Sequence, residues 1–183
     1  YQGRGIGYDL KQIQRRWALA NGYSQIGWTF DPLQRRNANF NLNRLGARAI
    51  YYHPNFYGEM TDGINAGLQS DRLEICWQLN DEHVKRLASG FQAEPSDEKP
   101  TFVLSADEAN NPVLTLPTQY THPHYAIQIP HNINTLKQDN MPLAKSWQMA
   151  IREAMLAVIK AEYIAIAFIA HDDICCYNFS VTT

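Results

Sequence analysis

The densest chemical signal lies in Gln2-Gly3-Arg4-Gly5-Ile6-Gly7, whose glycines are spaced two apart directly before a helical pattern. Glycine tolerates positive φ and lets a ligand approach the backbone closely. A helix start leaves N–H groups unpaired, and its dipole favours an anion there. Together these features suit a pyrophosphate cradle. Two other glycine patterns do not fit. The dinucleotide fingerprint G-x-G-x-x-G needs glycine where Tyr8 stands. The loop G-x-x-x-x-G-K-[ST] needs Lys and Ser/Thr where Tyr8 and Asp9 follow Gly7. The plainer alternative is a glycine-rich turn that opens a helix. A cradling loop also needs a strand feeding into it, and none precedes these glycines. The chain opens at Tyr1 rather than Met, so it reads as N-terminally truncated, with the truncated form expected to be inactive.

Proton-transfer chemistry has fewer candidates. Tyr51, Tyr52, His53 and Tyr57 lie close together and include groups able to donate or shuttle a proton. Each is more simply read as a packing or surface residue than as a catalyst. His122, His124 and His131 surround a proline-interrupted strand and read as exposed residues rather than a metal site. Cys76, Cys175 and Cys176 give neither metal-ligand spacing nor an even-numbered disulfide framework. No metal is expected. Asn37, Asn39, Asn41 and Asn43 form a polar series for which local caps and ligand contacts are both open readings.

The elements that must position these residues follow from periodicity. Ile6, Leu10, Ile13, Trp17 and Ala20 recur at three- and four-residue spacing, opposite Lys11, Gln12, Arg15 and Arg16, which predicts an amphipathic helix ending near Asn21-Gly22. Gln25 to Phe30 reads as a strand stopped by Asp31-Pro32. A short helix is expected from Ala38 to Leu45, closed by Gly46, then strands at Ala47–Tyr52 and Arg72–Leu79 and a helix at Asp81–Ala88. Residues 91–100 read as a solvated connector. Beyond it, strands are expected at Thr101–Leu104, Val113–Leu116 and Tyr125–Ile129, and a long helix at Met141–Lys160 with Trp147, Ile151 and Val158 on its core face. Strands at Tyr163–Ala170 and Ile174–Phe179 close the chain, and a helix leading into a tyrosine and a strand occurs twice, at Ala20–Phe30 and Lys160–Ile169. The alternation predicts an α/β or α+β fold, with a mixed, largely antiparallel sheet flanked by helices. The organisation expected is a first unit over 1–90, a linker over 91–100 and an α/β extension over 101–183.

Composition bounds the function. With 183 residues, 45% apolar and 19% charged, the chain is globular in type. A formal charge of −2 supplies no field for gripping a polyphosphate backbone, so no nucleic-acid partner is expected. The longest apolar run, Tyr163 to Ala170, is strand-sized, so no membrane span is expected either. The cysteine usage suits a reducing cytoplasm.

Gln2, Gly5 and Gly7 match (Gln/Arg)-x-x-Gly-x-(Gly/Ala), and the stretch from Gly27 to Ala47, GWTFDPLQRRNANFNLNRLGA, follows at the expected distance. Over Tyr1 to Leu79 the chain resembles the GNAT superfamily of acetyltransferases, in an uncharacterised branch of predicted acetyltransferases. The resemblance implies a GNAT-like sheet that splays beside the Gln25–Phe30 strand and holds the pantetheine of acetyl-CoA or a related acyl-CoA in the gap. It implies cofactor contacts from Gln2, Gly3, Arg4, Gly5, Ile6, Gly7, Trp28 and Asn37. The expected activity is N-acyl transfer to a small-molecule or peptide amine, with a homodimer as one assembly. The chain departs from the pattern at one point: many GNAT enzymes carry a tyrosine acid on their second helix here, and that position is Leu42, between Asn41 and Asn43. A GNAT-like protein that binds acyl-CoA or another phosphorylated ligand without turnover is the alternative, and a structural domain with an incidental glycine turn is a third reading.

Overall fold

A computed structural model describes residues 6–58, 67–91, 99–171 and 174–181. The first half runs helix α1 (Ile6–Ala20), strand β1 (Gln25–Phe30), helix α2 (Arg35–Ala38) continuing as a π-helical segment (Asn39–Arg44), strands β2 (Arg48–His53) and β3 (Arg72–Gln78), and helix α3 (Glu82–Ala88). The second half runs β4 (Thr101–Ala106), β5 (Pro112–Leu114), β6 (His124–Ile129), α4 (Ile133–Asp139), α5 (Met141–Lys160), β7 (Tyr163–His171) and β8 (Ile174–Val181). The class is α+β, as the sequence predicts. The strands form one eight-stranded sheet in the order β1-β3-β2-β7-β8-β6-β4-β5. Every pairing is antiparallel except β4 with β6.

Local chemistry sets the boundaries. Gly22 has φ 81° and Gly46 has φ 72°, the left-handed region that only glycine enters without strain, and each stops its helical segment. Asp81 caps α3 by accepting from the His83 N–H, and Asn132 caps α4 by accepting from Asn134 and Thr135. Sequence periodicity misses α4, because only Ile133 among its residues is buried. The helix expected from Ala38 starts earlier, at Arg35, and widens after Ala38 into π geometry. There the Leu45 N–H reaches back five residues to the Phe40 carbonyl at 3.0 Å.

β2 and β7 meet at the single register pair Ala49↔Ala165, where two fully buried alanines let the backbones approach. Side chains reinforce this join. The Asn43 amide donates to the Phe168 carbonyl at 2.6 Å and accepts from the Phe168 N–H at 2.9 Å. Tyr177 Oη donates to the Pro32 carbonyl at 2.6 Å, and Gln148 exchanges two hydrogen bonds with the Gln69 backbone at 2.9 and 2.7 Å. α5 buries Ala144, Trp147, Gln148, Ile151, Ala154, Met155 and Val158, which puts its predicted face in the core. Burying each large apolar side chain of this kind contributes about 1.5–3 kcal/mol.

Candidate functional site

Gln2, Gly3, Arg4 and Gly5 lie outside the described residues. Ile6 and Gly7 open α1. A side-chain carbon built on Gly7 would sit 3.9 Å from Phe40 Cζ, so the start of α1 lies beside the π-helical segment. Asn37, exposed, is three residues before Phe40 on the same helical run. One turn further along α1, Lys11 Nζ stands 3.5 Å from the centre of the Trp28 ring on β1. Partial burial against that ring lowers the Lys11 ammonium from its ordinary value. Thus α1 touches both the run that carries Asn37 and the strand that carries Trp28. β1 pairs only with β3, so among the described residues its outer edge has no strand partner.

α1 packs with the opposite face from the one its amphipathic pattern leads one to expect. Tyr8 Oη donates to the Leu87 carbonyl at 2.9 Å, and the Arg15 guanidinium donates to the Leu79 carbonyl at 3.1 and 2.7 Å. The Leu87 carbonyl lies in the last turn of α3, where it also accepts from the Gly90 N–H at 3.1 Å, and the Leu79 carbonyl follows directly on β3. The apolar stripe turns outward, with Leu10 and Trp17 each 61% exposed and Ala18 the single buried residue of the helix. Nothing among the described residues covers that stripe.

The four proton-transfer candidates separate into two environments. A bulge between Ala49 and Tyr51 inserts an extra residue in β2 and sends Tyr52, not Tyr51, into the core. Tyr52 Oη donates to Asp71 Oδ2 at 2.6 Å, and burial together with the Asp71 charge pushes the phenol far above its ordinary value. Its proton is therefore committed to a structural bond. Tyr51, His53 and Tyr57 line the solvent side with Phe56 in an aromatic string whose neighbouring ring centres are 5.0, 5.3 and 4.9 Å apart. His53 Nε2 lies 2.6 Å from Glu74 Oε2. An imidazole held by a carboxylate in a half-exposed position can accept a proton and pass it to water. Leu42 is fully buried in the π-helical segment, and its neighbour Asn43 is spent on the Phe168 backbone. No acid replaces the missing tyrosine there.

Sequence reading passes over a polar cluster between the two halves. Asp71, with a side chain only 2% exposed, accepts from Tyr52 Oη, from the Asn55 N–H at 2.8 Å and from two Arg152 nitrogens at 3.0 and 2.6 Å. Arg152 also donates to the Gln69 side chain. Beside it lies a cavity of about 100 Å³ bounded by residues from the ends of β1 and β3 and from α4 and α5, including Asp31, Arg72 and Lys137. In sequence Asp31 reads only as a strand stop, and the charged groups it meets in the cavity, Arg72 and Lys137, are 41 and 106 positions away, so no spacing rule finds them. Among the described residues no group of three or more His, Cys, Asp or Glu could hold a metal, and no helix is long and apolar enough to cross a membrane. No family model, curated protein or solved structure matches the chain.

Proposed function

We propose that the chain binds an acyl-CoA, acetyl-CoA in the simplest case, and transfers the acyl group to a small-molecule or peptide amine in the cytoplasm. The reading rests on the resemblance to GNAT acyltransferases, and one observation carries it. The first turns of α1 reach both other predicted cofactor regions, with Gly7 against Phe40 beside Asn37 and Lys11 against Trp28 on the open edge of β1. A strand edge with free N–H and C=O groups suits the amides of a pantetheine arm, and a helix start suits its pyrophosphate. Lys11 adds a cation on the same side of α1.

In the reaction an amine nitrogen forms a bond to the acyl carbon, the carbon–sulfur bond breaks, and the thiolate leaves. The amine proton must go to a base. Of the candidates, His53 with Glu74 is the pair with the chemistry for it, since Tyr52 is held by Asp71. The flanking Tyr51, Phe56 and Tyr57 rings offer an apolar and cation-attracting surface for an amine-bearing acceptor. Calorimetry with acetyl-CoA tests the reading. Saturable binding that disappears in Gly5→Glu supports it, whereas a folded wild type that takes up no acetyl-CoA overturns it.

Binding without turnover is the second reading, favoured by the burial of Leu42 where an acid is usual and by the commitment of Tyr52 to Asp71. Thiol release from acetyl-CoA in the presence of an amine panel, lost in His53→Gln, decides for transfer. Binding with no thiol release from any amine decides for the non-catalytic protein.

A further inference from the structure

The cavity between the two halves has an unequal account of donors and acceptors. Its carboxylates are already served. Asp71 receives Tyr52, Asn55 and Arg152, and Asp31 receives the Leu33 N–H at 2.9 Å and the Gln34 amide at 3.3 Å. Gln148 is spent on the Gln69 backbone, and Ser70 Oγ accepts from the Tyr57 N–H at 2.9 Å. The cations are served less directly. Arg72 Nε is buried with no hydrogen-bond partner, while its guanidinium rests 5.0 Å from the Tyr57 ring centre. Neither Arg72 nor Lys137 has an ion-pair partner among the described residues.

A buried donor left unmade costs about 1–3 kcal/mol, so native proteins seldom leave one without an occupant nearby. The space is available: about 100 Å³ far exceeds the ~10–15 Å³ that one water requires. Water satisfies a donor but does not neutralise the positive charge that Arg72 and Lys137 together hold in excess of Asp31. From Arg72, Lys137 and the cavity they line, the geometry points to a binding site for a small oxoanion, a carboxylate or phosphate group of a few heavy atoms, held by the Arg72 guanidinium and the Lys137 ammonium. Arginine's planar fork suits such a group. Asp31 attracts both cations electrostatically but forms no ion pair with either, and Asp71 is committed to Arg152, so Asp31 alone stands against two positive charges. The occupant is enclosed by residues from the ends of β1 and β3 on one side and α4 and α5 on the other, so binding would tie the two halves together.

The test is calorimetry of the whole chain with inorganic phosphate and, separately, with malonate, each against sodium chloride at matched ionic strength. The site predicts saturable binding of at least one of them, weakened about tenfold or more in Arg72→Gln and in Lys137→Gln, as loss of a charge-assisted hydrogen bond entails. Lys145→Gln, an exposed lysine of α5, leaves binding unchanged. Phosphate alone binding assigns a phosphate ligand, malonate alone a carboxylate, and both the shared chemistry. Circular dichroism checks each fold, and if Arg72→Gln unfolds, Lys137→Gln decides by itself. No saturable binding of either anion overturns the proposal, as does binding that both variants retain, which would mark an adventitious ion only.

Discussion

The chain twice runs a helix into a left-handed residue, a tyrosine and a strand. α1 passes through Gly22, φ 81°, and Tyr23 into β1; α5 passes through Glu162, φ 67°, and Tyr163 into β7. Their surroundings differ. α5 buries its apolar face against the sheet and Tyr163 closes the core beside Tyr125, ring centres 5.1 Å apart. α1 anchors by Tyr8, Lys11 and Arg15, leaves its apolar stripe outside, and stacks Trp17 on the exposed Tyr23 at 6.1 Å. Amphipathic spacing makes a helix and marks one face as apolar. Whether that face is inside depends on what stands opposite it.

The contrast can be broken most decisively at the two tryptophans. Trp147→Ala should destabilise by about 3–5 kcal/mol, because it empties a fully buried site and frees the Asn110 carbonyl it bonds at 3.0 Å. Trp17→Ala should cost less than about 0.5 kcal/mol. Urea unfolding of both reads the difference, and equal losses would mean that the α1 stripe is covered in solution.

Next in size, Asp71→Ala strands the Arg152 charge between α5 and β3 and should cost about 3 kcal/mol, with Tyr52 losing its acceptor as well. A loss below about 1 kcal/mol in the same urea assay would show that the two halves do not depend on this network.

Smaller effects sharpen the comparison at the two helix ends. Gly22→Ala meets no neighbour within 4 Å, so its cost of about 1 kcal/mol is backbone strain alone. Glu162→Gly relieves about 1–2 kcal/mol of such strain and returns about 0.4–1 kcal/mol in unfolded-chain entropy, a backbone gain of about 0.8 kcal/mol. Thermal melts that moved in the opposite directions would deny the left-handed geometry at these ends.

The smallest effect belongs to the end of β1. Burial raises the Asp31 carboxyl, so the folded chain holds its proton to higher pH than the unfolded chain does. Stability contributed by Asp31 is therefore greatest in acid and declines as pH rises from the ordinary carboxylate range through the raised folded value. In Asp31→Asn that part of the slope should vanish. An unchanged slope would remove the burial argument for this side chain.

Much of the fold is legible in residue order. α1, β1 and α5 have the bounds that periodicity, Gly22 and Asp31-Pro32 predict, and Gly46 closes the segment it was expected to close. α4 was not legible because its one buried residue gives no period, although Asn132 is a cap signal in plain view. The candidate site was proposed from sequence only in part. Gly7 came from a local motif and Trp28 and Asn37 only from the resemblance, and the contacts that α1 makes with Phe40 and Trp28 do not test whether any of them holds a cofactor. Asp71 with Arg152, and Arg72 with Lys137, could not be read, since 81 and 65 positions separate the partners.

Residue order by itself determined where most helices and strands run and where glycine stops them, because those choices are made within a turn or a strand's length of backbone. The tertiary structure alone decided that β2 joins β7 through two alanines and that one extra residue in β2 turns Tyr52 inward and leaves Tyr51 outside. It also decided that no described residue covers the apolar stripe of α1, and that Arg72 and Lys137 share a cavity with carboxylates already hydrogen-bonded. The physical reason is common to all of these. Burial and charge compensation are properties of what surrounds a side chain, and surroundings are assembled from segments that sequence keeps far apart.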